Sequence, residues 1–581
     1  MSLFDIFSLL GGLAIFLFGM QVMGDGLEKR GGGKLKSILE SMTSNKYKGV
    51  LLGLVVTAII QSSSATTVMV VGFVNSGIMK LAQAISVIMG ANIGTTVTAW
   101  LLSLSGIKGD NIIVQLLKPS SFAPILAVIG IIFMMFLKNP KKKDTGSILV
   151  GFAVLMTGME MMSGAVSGLK TNESFTQILT LFTNPFLGVL AGAVLTAVIQ
   201  SSSASVGILQ ALSSTGQITF GSAVPIIMGQ NIGTCITAIL SAIGANKNAK
   251  RVSVVHLSFN IIGTICFMIV FYVLHWVLDF GFMNNAVNEA SIAIVHSVFN
   301  IFATVIMFPF TKWLEKLSMI IVKDDNVEDK NSVLDERLLS TPPIAIVQAK
   351  NVANKMAFVA KDSFIRALDM INAYDEEKAE AIRLDETKVD EYEDILGTFL
   401  VKLSHESLSR DDSHEISNLL HCIGDFERIS DHAVNIVESA EEIAQKGITF
   451  SNEAAEELKV VKKALTEILE NTCKAFETED LELAMKIEPL EQIIDVLKIK
   501  LRSNHITRLQ QDNCTIETGF VFSDLLTDIE RTADHCSNIG VCLISVAHDS
   551  FDTHGYLHHV KEEGVGNYKE IYEMYREKYS I

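Results

Sequence analysis

The sequence predicts an all-α protein in two parts. The first is a polytopic membrane domain built as an inverted repeat with two re-entrant hairpins; the second is a soluble helical bundle. Three observations carry this reading. Apolar segments of about 20 residues, enough to cross roughly 30 Å of hydrocarbon, fill the first part of the chain. Charge divides the 581 residues sharply: 1–323 hold 20 Lys+Arg against 11 Asp+Glu, a net of +9, and 324–581 hold 27 against 53, a net of −26. Finally, a shift of 139 residues lays one half of the apolar part over the other without a gap.

Taken in order, the apolar segments fall at 5–23, 48–75, 80–105, 121–138, 147–168, 187–213, 219–243, 252–275 and 289–311. The first has no basic n-region and no small-residue cleavage site, so it is expected to remain as a membrane helix. Lysines and arginines crowd the connections at 28–48, 138–143 and 247–251 and the stretch after 311, while 105–120, 169–186 and 276–289 are less basic. The positive-inside rule places the first group in the cytoplasm. That is consistent only if 48–75 and 187–213 enter and leave by one face. The chain then starts outside, crosses seven times and ends inside, in the plasma (inner) membrane, with the acidic half cytoplasmic. A single long helix over 48–75 is the rival reading.

The self-match is strongest where "TAIIQSSSATT" (Thr57–Thr67) lies over "TAVIQSSSASV" (Thr196–Val206); 20 of 45 positions between 57–101 and 196–240 are identical. Gln61 aligns with Gln200, Ser62, Ser63 and Ser64 with Ser201, Ser202 and Ser203, and Asn92 and Thr95 with Asn231 and Thr234. Three crossings precede the second copy, an odd number, so the copies are expected to be inverted, a plan shared by many secondary transporters. Each copy offers two helix breaks, Gln-Ser-Ser-Ser and "GANIGTT" or "GQNIGTC". A broken helix exposes free N–H groups that attract anions and free C=O groups that, with hydroxyl oxygens, attract Na⁺. Residues 186–246 contain no charged side chain and 49–106 only Lys80. Neutral donors with a co-bound cation make anion affinity conditional on that cation. Small residues also serve plain helix packing in membranes, but a doubled motif in register makes packing alone a poor account.

Other polar groups in the apolar part are expected to be structural: the echo "HLSFN" and "HSVFN" (His256/Asn260, His296/Asn300) as core polar pairs, and Glu160 as an interfacial carboxylate. The seven cysteines show no CxxC and are expected to be free thiols in a reducing compartment.

On the doubled Gln-Ser-Ser-Ser, the chain resembles the type II sodium/phosphate cotransporter family in its bacterial form, nearly along its whole length to about residue 550. The resemblance implies Na⁺-driven secondary transport of inorganic phosphate, with Na⁺ as coupling ion. It points to Gln61, Ser62, Ser63, Ser64, Gln200, Ser201, Ser202 and Ser203 as substrate and sodium contacts, with Asn92, Thr95, Asn231 and Thr234 beside them. The copies diverge after Ala65 and Ala204, where Thr66 faces Ser205 in the alignment, so ligation by this pair is expected to be unsymmetrical.

The soluble half follows a linker over 321–342 and carries a second repeat, shifted by about 103 residues. "GDFERISDHAVNI" (Gly424–Ile436) lies over "TDIERTADHCSNI" (Thr527–Ile539). Each half has two E-x-x-x-D pairs: Glu386/Asp390 with Glu427/Asp431, then Glu491/Asp495 with Glu530/Asp534. Spacing i,i+4 puts both carboxylates on one helix face, and two such helices together make a candidate divalent-metal site. Arg428 and Arg531 are the alternative partners. His432 and His535 lack a nucleophile arranged with them, and a metal or packing role is expected. The pattern resembles PhoU, which implies two three-helix bundles over 343–550 in a regulatory role; the tail, 551–581, shows no readable pattern.

An acidic soluble half argues against nucleic acid as a partner, and no enzymatic constellation is read. The expected partners are inorganic phosphate, sodium ions, the lipid bilayer and, through the bundle, a second copy or a regulatory protein. A channel, a phosphate-sensing receptor without net transport, and a carrier of another oxyanion stay open at this point.

Overall fold

The computed structural model describes residues 3–40, 45–75, 79–107, 118–323, 334–406, 408–511, 514–547 and 568–581. Their regular structure is helical, apart from one isolated β-bridge between Thr219 and Ala286. They divide into two compact units, Met1–Ile344 and Ala345–Ile581.

The first unit runs α1 (Leu3–Glu40), α2 (Lys46–Ile60), α3 (Ser63–Asn75), α4 (Leu81–Ser103), α5 (Pro119–Phe136), α6 (Pro140–Val166), α7 (Glu173–Leu181), α8 (Pro185–Ile199), α9 (Ser202–Ser213), α10 (Phe220–Ser241), α11 (Lys247–Leu278), α12 (Glu289–Met307) and α13 (Thr311–Ile321). Among the described residues, six stretches are long and apolar enough to cross a membrane: Leu3–Arg30, Leu81–Gly106, Pro140–Lys170, Phe220–Ser241, Lys247–Leu278 and Glu289–Ile321. This is a multipass membrane unit. Asparagines start many of its helices. Asn45, Asn184, Asn246 and Asn288 each accept a first-turn N–H in the side-chain carbonyl, which satisfies a donor the helix itself cannot.

The two stretches expected as hairpins are each a pair of short helices, α2/α3 and α8/α9. Their arms are 15 and 13 residues long in the first copy and 15 and 12 in the second. At about 1.5 Å per residue such arms reach roughly 20 Å, short of a hydrocarbon core.

Glycine lets the repeat-related helices touch backbone to backbone. A Cβ on Gly19 of α1 would sit 2.3 Å from the Leu155 N of α6, and one on Gly158 of α6 would sit 2.4 Å from the Phe16 N of α1. Contacts run Gly12 to Gly158 and Gly19 to Gly151, so the partner number falls as the other rises, and α1 and α6 pack antiparallel. These two helices are equivalent under the 139-residue shift. The first arm of each hairpin is held in the same way against the next long helix. A Cβ on Gly53 of α2 would lie 1.9 Å from Val87 O of α4, and one on Gly192 of α8 would lie 2.0 Å from Ile226 O of α10.

Residues 334–340, within the expected linker, close on the membrane unit: Leu338 is fully buried, and Gly72 of α3 faces its side chain. The second unit comprises α14 (Pro342–Met370, whose first turn closes the first unit), α15 (Glu376–Ser404), α16 (Arg410–Lys446), α17 (Asn452–Thr478), the single turn α18 (Leu481–Ala484), α19 (Ile487–Gln510), α20 (Ile516–Ala547) and α21 (Tyr568–Lys578). The tail therefore is not featureless. Tyr575 of α21 is 1% exposed, and Lys578 Nζ pairs with Glu467 of α17 at 2.6 Å; the amphipathic pattern is too short to stand out before a docking surface is known.

Candidate functional site

Each hairpin breaks at one residue. Gln61 and Gln200 both sit in the left-handed region at φ 59°, ψ 21°. A side chain there costs roughly 1 kcal/mol, so two equivalent glutamines sharing it mark a conformation held by its surroundings. The N–H of Gln61 donates to Thr57 O at 2.8 Å and that of Gln200 to Thr196 O at 2.7 Å, closing the first arm. The next residue opens the second arm as its N-cap: Ser62 Oγ accepts from Ala65 N at 3.1 Å, and Ser201 Oγ from Ala204 N at 3.2 Å. Beyond the caps, the N–H groups of Ser63, Ser64, Ser202 and Ser203 are first-turn donors with no acceptor inside the helix. Each tip thus joins a C-terminal carbonyl end to an N-terminal amide end, with partial charges of opposite sign.

The copies differ in their side chains. Gln61 is buried, and its Oε1 accepts from Thr98 Oγ1 of α4 at 3.0 Å, whereas Gln200 is exposed. Thr66 Oγ1 takes part in a hydrogen bond with Thr57 Oγ1 at 3.0 Å and also donates to Ser62 O at 3.0 Å. Their equivalents, Ser205 and Thr196, are fully buried with no hydrogen-bond partner for either hydroxyl among the described residues. The Thr66/Ser205 pair thus differs in its hydrogen bonds within the fold. Thr98 and Thr57 are site neighbours that motif reading passed over, although both recur in the repeat, as Thr237 and Thr196.

Asn92, Thr95, Asn231 and Thr234 are all buried. Thr95 Oγ1 donates to Ala91 O at 3.1 Å and Thr234 Oγ1 to Gln230 O at 2.9 Å, so each hydroxyl is bonded to its own helix. "GANIGTT" and "GQNIGTC" do not break their helices; α4 and α10 run through them. The Thr hydroxyls are satisfied within the helix by i−4 carbonyls, and Gly94 and Gly233 serve close packing that holds the helix: a Cβ on Gly94 would lie 2.7 Å from Thr57 Cβ, and one on Gly233 2.7 Å from Thr196 Cβ. Hence one expected break per repeat is observed, at Gln-Ser-Ser-Ser, and the second is not. The second arms touch both copies: α3 packs against α4 and α10, and α9 against α10 and α4, so each serine-bearing arm lies between its own Asn-Ile-Gly-Thr helix and, by crossing, that of the other copy. No hydrogen bond joins the two tips among the described residues. Gln210 of α9 fastens that crossing, its Nε2 donating to Ala99 O and Glu289 O at 3.0 Å each. Glu160 is exposed on α6.

In the second unit the eight acidic residues do not behave alike. Carboxylate oxygens of Glu491, Asp495 and Asp534 lie within 4.8 Å of one another. Burial first, then the charges of Glu488, Asp495 and Asp534, push the Glu491 carboxyl up to about 8. Asp534 is raised too, by burial and then by Glu530. Glu530 itself pairs with Lys498 at 2.7 Å instead of joining the three. In the first half, Arg428 lies 3.4 Å from Glu427 and 3.2 Å from Asp431, the alternative its sequence position allows. Glu386 is raised by burial and then by Asp390, and Glu427 by burial and then by Asp431. Three close carboxylates whose mutual repulsion and burial raise the Glu491 carboxyl fit a cation, which would relieve that repulsion.

His432 and His535 each meet a carboxylate of the opposite repeat. His432 Nδ1 meets Asp528 Oδ1 at 2.9 Å and His535 Nδ1 meets Asp425 Oδ1 at 2.8 Å, with Asn435 and Asn538 donating to the same carboxylates. These are reciprocal contacts between equivalent residues of α16 and α20.

Compared with known proteins, residues 15–164 and 165–290 each match the Na⁺/Pi-cotransporter family, once for each copy of the repeat, and residues 353–440 and 458–542 match the PhoU domain. The chain belongs to the Na⁺/Pi-cotransporter family, in a form that carries PhoU domains. A protein of Escherichia coli (strain K12) named for inorganic phosphate export, YjbB, is 24% identical over 90% of this chain and 94% of its own. Sodium-dependent phosphate transport protein 2A of Rattus norvegicus is 23% identical over 44% of this chain and 59% of its own. The crystal structure of PhoU from Pseudomonas aeruginosa aligns with 35% of this chain and 94% of its own, at 19% identity and a TM-score of 0.31. For this family member, Na⁺ is the coupling ion that the family description implies.

Proposed function

We propose that this family member is a secondary transporter that carries inorganic phosphate across a membrane together with Na⁺, an inward Na⁺ gradient driving uptake, and that its PhoU-like unit regulates this from the cytoplasm. The observation that carries the reading is the doubled break at Gln61 and Gln200, with the same backbone angles in both copies. Antiparallel packing of the repeat-equivalent α1 and α6 supports an inverted repeat, with one tip entering from each side. Phosphate accepts from the free N–H groups and hydroxyls of Ser63, Ser64, Ser202 and Ser203 at the positive helix ends. Na⁺ is held by the carbonyl ends of α2 and α8 and by hydroxyl oxygens. Neither ligand meets a fixed charge, so each binds well only with the other and both leave together. The basic connections support the cytoplasmic placement of the second unit. Glu491, Asp495 and Asp534 hold a divalent cation there.

The test is labelled phosphate flux in proteoliposomes of the full-length protein, under an inward Na⁺ gradient against an equal K⁺ gradient. Accumulation above equilibrium with Na⁺ alone is expected, together with its loss in the Ser63→Ala/Ser202→Ala double variant that still folds. Equal flux in both gradients refutes coupling. Flux only out of preloaded vesicles refutes uptake in favour of the export named for the Escherichia coli relative, and binding without flux leaves a receptor.

A further inference from the structure

The His-Asn echo on α11 and α12 is used twice in one way. Asn300 Nδ2 donates to His296 O at 2.8 Å, and Asn260 Nδ2 donates to His256 O at 3.0 Å, each bond spanning one turn of its own helix. All four side chains are 1% exposed. A backbone carbonyl only accepts, so the atom facing it must be the amide nitrogen. This settles the flip of Asn300, and the rest follows as a chain. Asn300 Oδ1 lies 2.6 Å from Asn231 and accepts from its Nδ2. Asn231 Oδ1 is then the atom 3.2 Å from His296 Nε2, and that nitrogen must carry the proton. His296 Nδ1 is buried and has no hydrogen-bond partner among the described residues.

Asn231 therefore stands in one rotamer and one flip, fixed by two residues 65 and 69 positions away. Its repeat equivalent Asn92 is not held so: the Asn92 Nδ2 is buried with no hydrogen-bond partner among the described residues. The other echo does not substitute for the first. Asn260 Nδ2 lies 3.3 Å from the sulfur of Cys235, one turn beyond Asn231 on α10. From the same helix as His296, Thr304 Oγ1 donates to Met89 O of α4 at 3.4 Å, so α12 ties to both helices that carry Asn-Ile-Gly-Thr.

We propose that His296 and Asn300 are positioning residues for Asn231. They orient its amide so that the remaining Oδ1 lone pair and Nδ2 hydrogen meet the transported ions in one arrangement, which makes the second copy a preset half-site and leaves Asn92 as the adaptable half. This rests on the transport reading above, and it assigns a task to residues that would otherwise be packing.

The test compares His296→Leu, His296→Gln, Asn300→Ala, Asn231→Ala and the Asn231→Ala/His296→Leu pair. The readouts are the half-saturating Na⁺ and phosphate concentrations for flux in proteoliposomes, and calorimetric titration of the detergent-solubilised full chain with inorganic phosphate at fixed Na⁺. His296→Leu and Asn300→Ala should raise the half-saturating concentration of at least one ion about tenfold, the scale of one buried hydrogen bond left unmade. His296→Gln, which can still offer an N–H near the Nε2 position, should stay within about threefold of wild type. The double variant should be no worse than Asn231→Ala alone, because the second change acts only through the first. A purely structural role would lower the yield of folded protein and leave half-saturation unmoved in the fraction that folds, which overturns the proposal, as do additive losses in the pair. Failure of the transport reading looks different: wild type binds phosphate with Na⁺ but shows no coupled flux, and the calorimetric comparison then decides the positioning role by itself. Wild type that binds neither ion overturns both.

Discussion

Glu491→Gln gives the sharpest quantitative test of the second unit. The Glu491 carboxyl is 6% exposed and faces other carboxylates, and its pKa rises from 4.5 to about 8 in the fold. In the unfolded chain it returns to its ordinary value. Between those two values the folded state keeps a proton that the unfolded state has already lost. Stability from this group is thus complete below about pH 4.5 and is lost as pH rises toward 8. At about 1.36 kcal/mol per pKa unit the window corresponds to roughly 5 kcal/mol. Asp534, also raised, acts with the same sign. Glutamine keeps the shape and stays neutral at every pH. The assay is hydrogen–deuterium exchange of residues 487–510 and 516–547 in the full-length protein in EDTA, at intervals from about pH 5 to 9 and corrected for the intrinsic exchange rate. Wild type should lose protection as pH rises; the variant should lose much less and be better protected above about pH 8 by several kcal/mol. Added Mn²⁺ or Ca²⁺ at the upper end should restore wild type and not the variant. Parallel protection curves for the two proteins would refute the argument, because the other titrating groups are common to both.

Three further outcomes follow from geometry. Gly53→Ala and Gly192→Ala, each placing a methyl about 2 Å from a carbonyl oxygen of the neighbouring helix, should lower stability by about 3 kcal/mol or more, while Gly164→Ala, with nothing within 4 Å, should melt like wild type in detergent. Gln61→Ala should cost about 1–2 kcal/mol through its lost bond to Thr98, whereas Gln200→Ala should change the melting temperature little, since Gln200 is exposed. Asp425→Ala and Asp528→Ala should each destabilise the α16–α20 pairing by about 1–3 kcal/mol, read as faster exchange of both helices, because each leaves the opposite repeat's half-buried histidine without its carboxylate.

Much of the architecture was legible without coordinates, because it is written in short-range terms. Helices follow from apolar runs and asparagine caps, and the repeat from identical residues at a constant shift. The place of each hairpin break followed from Gln-Ser-Ser-Ser, where three small hydroxyl residues favour a cap over a continuing helix. The same reasoning failed at "GANIGTT" and "GQNIGTC": glycine and asparagine permit a break but do not compel one when a close helix neighbour fills the space beside them. It also failed at the tail, where α21 packs on α19, with Tyr575 buried and Lys578 and Tyr579 reaching Glu467 of α17.

The sequence by itself determined that this is a two-part helical membrane protein, that its first part is one plan written twice, and which two tripeptides of serine end up at helix starts. Only the tertiary structure decided which copies of a motif differ: Gln61 bonded to Thr98 and Gln200 exposed, Asn231 locked by His296 and Asn92 with an unpartnered nitrogen, Glu491 gathered with Asp495 and Asp534 while Arg428 reaches Glu427 and Asp431. The physical reason is that backbone conformation depends on a few adjacent residues. A side chain's hydrogen bonds and its charge depend on whatever the fold places within about 3 Å, and matched positions of the two repeats acquire different neighbours because α11 and α12, which touch both copies, present different side chains to each.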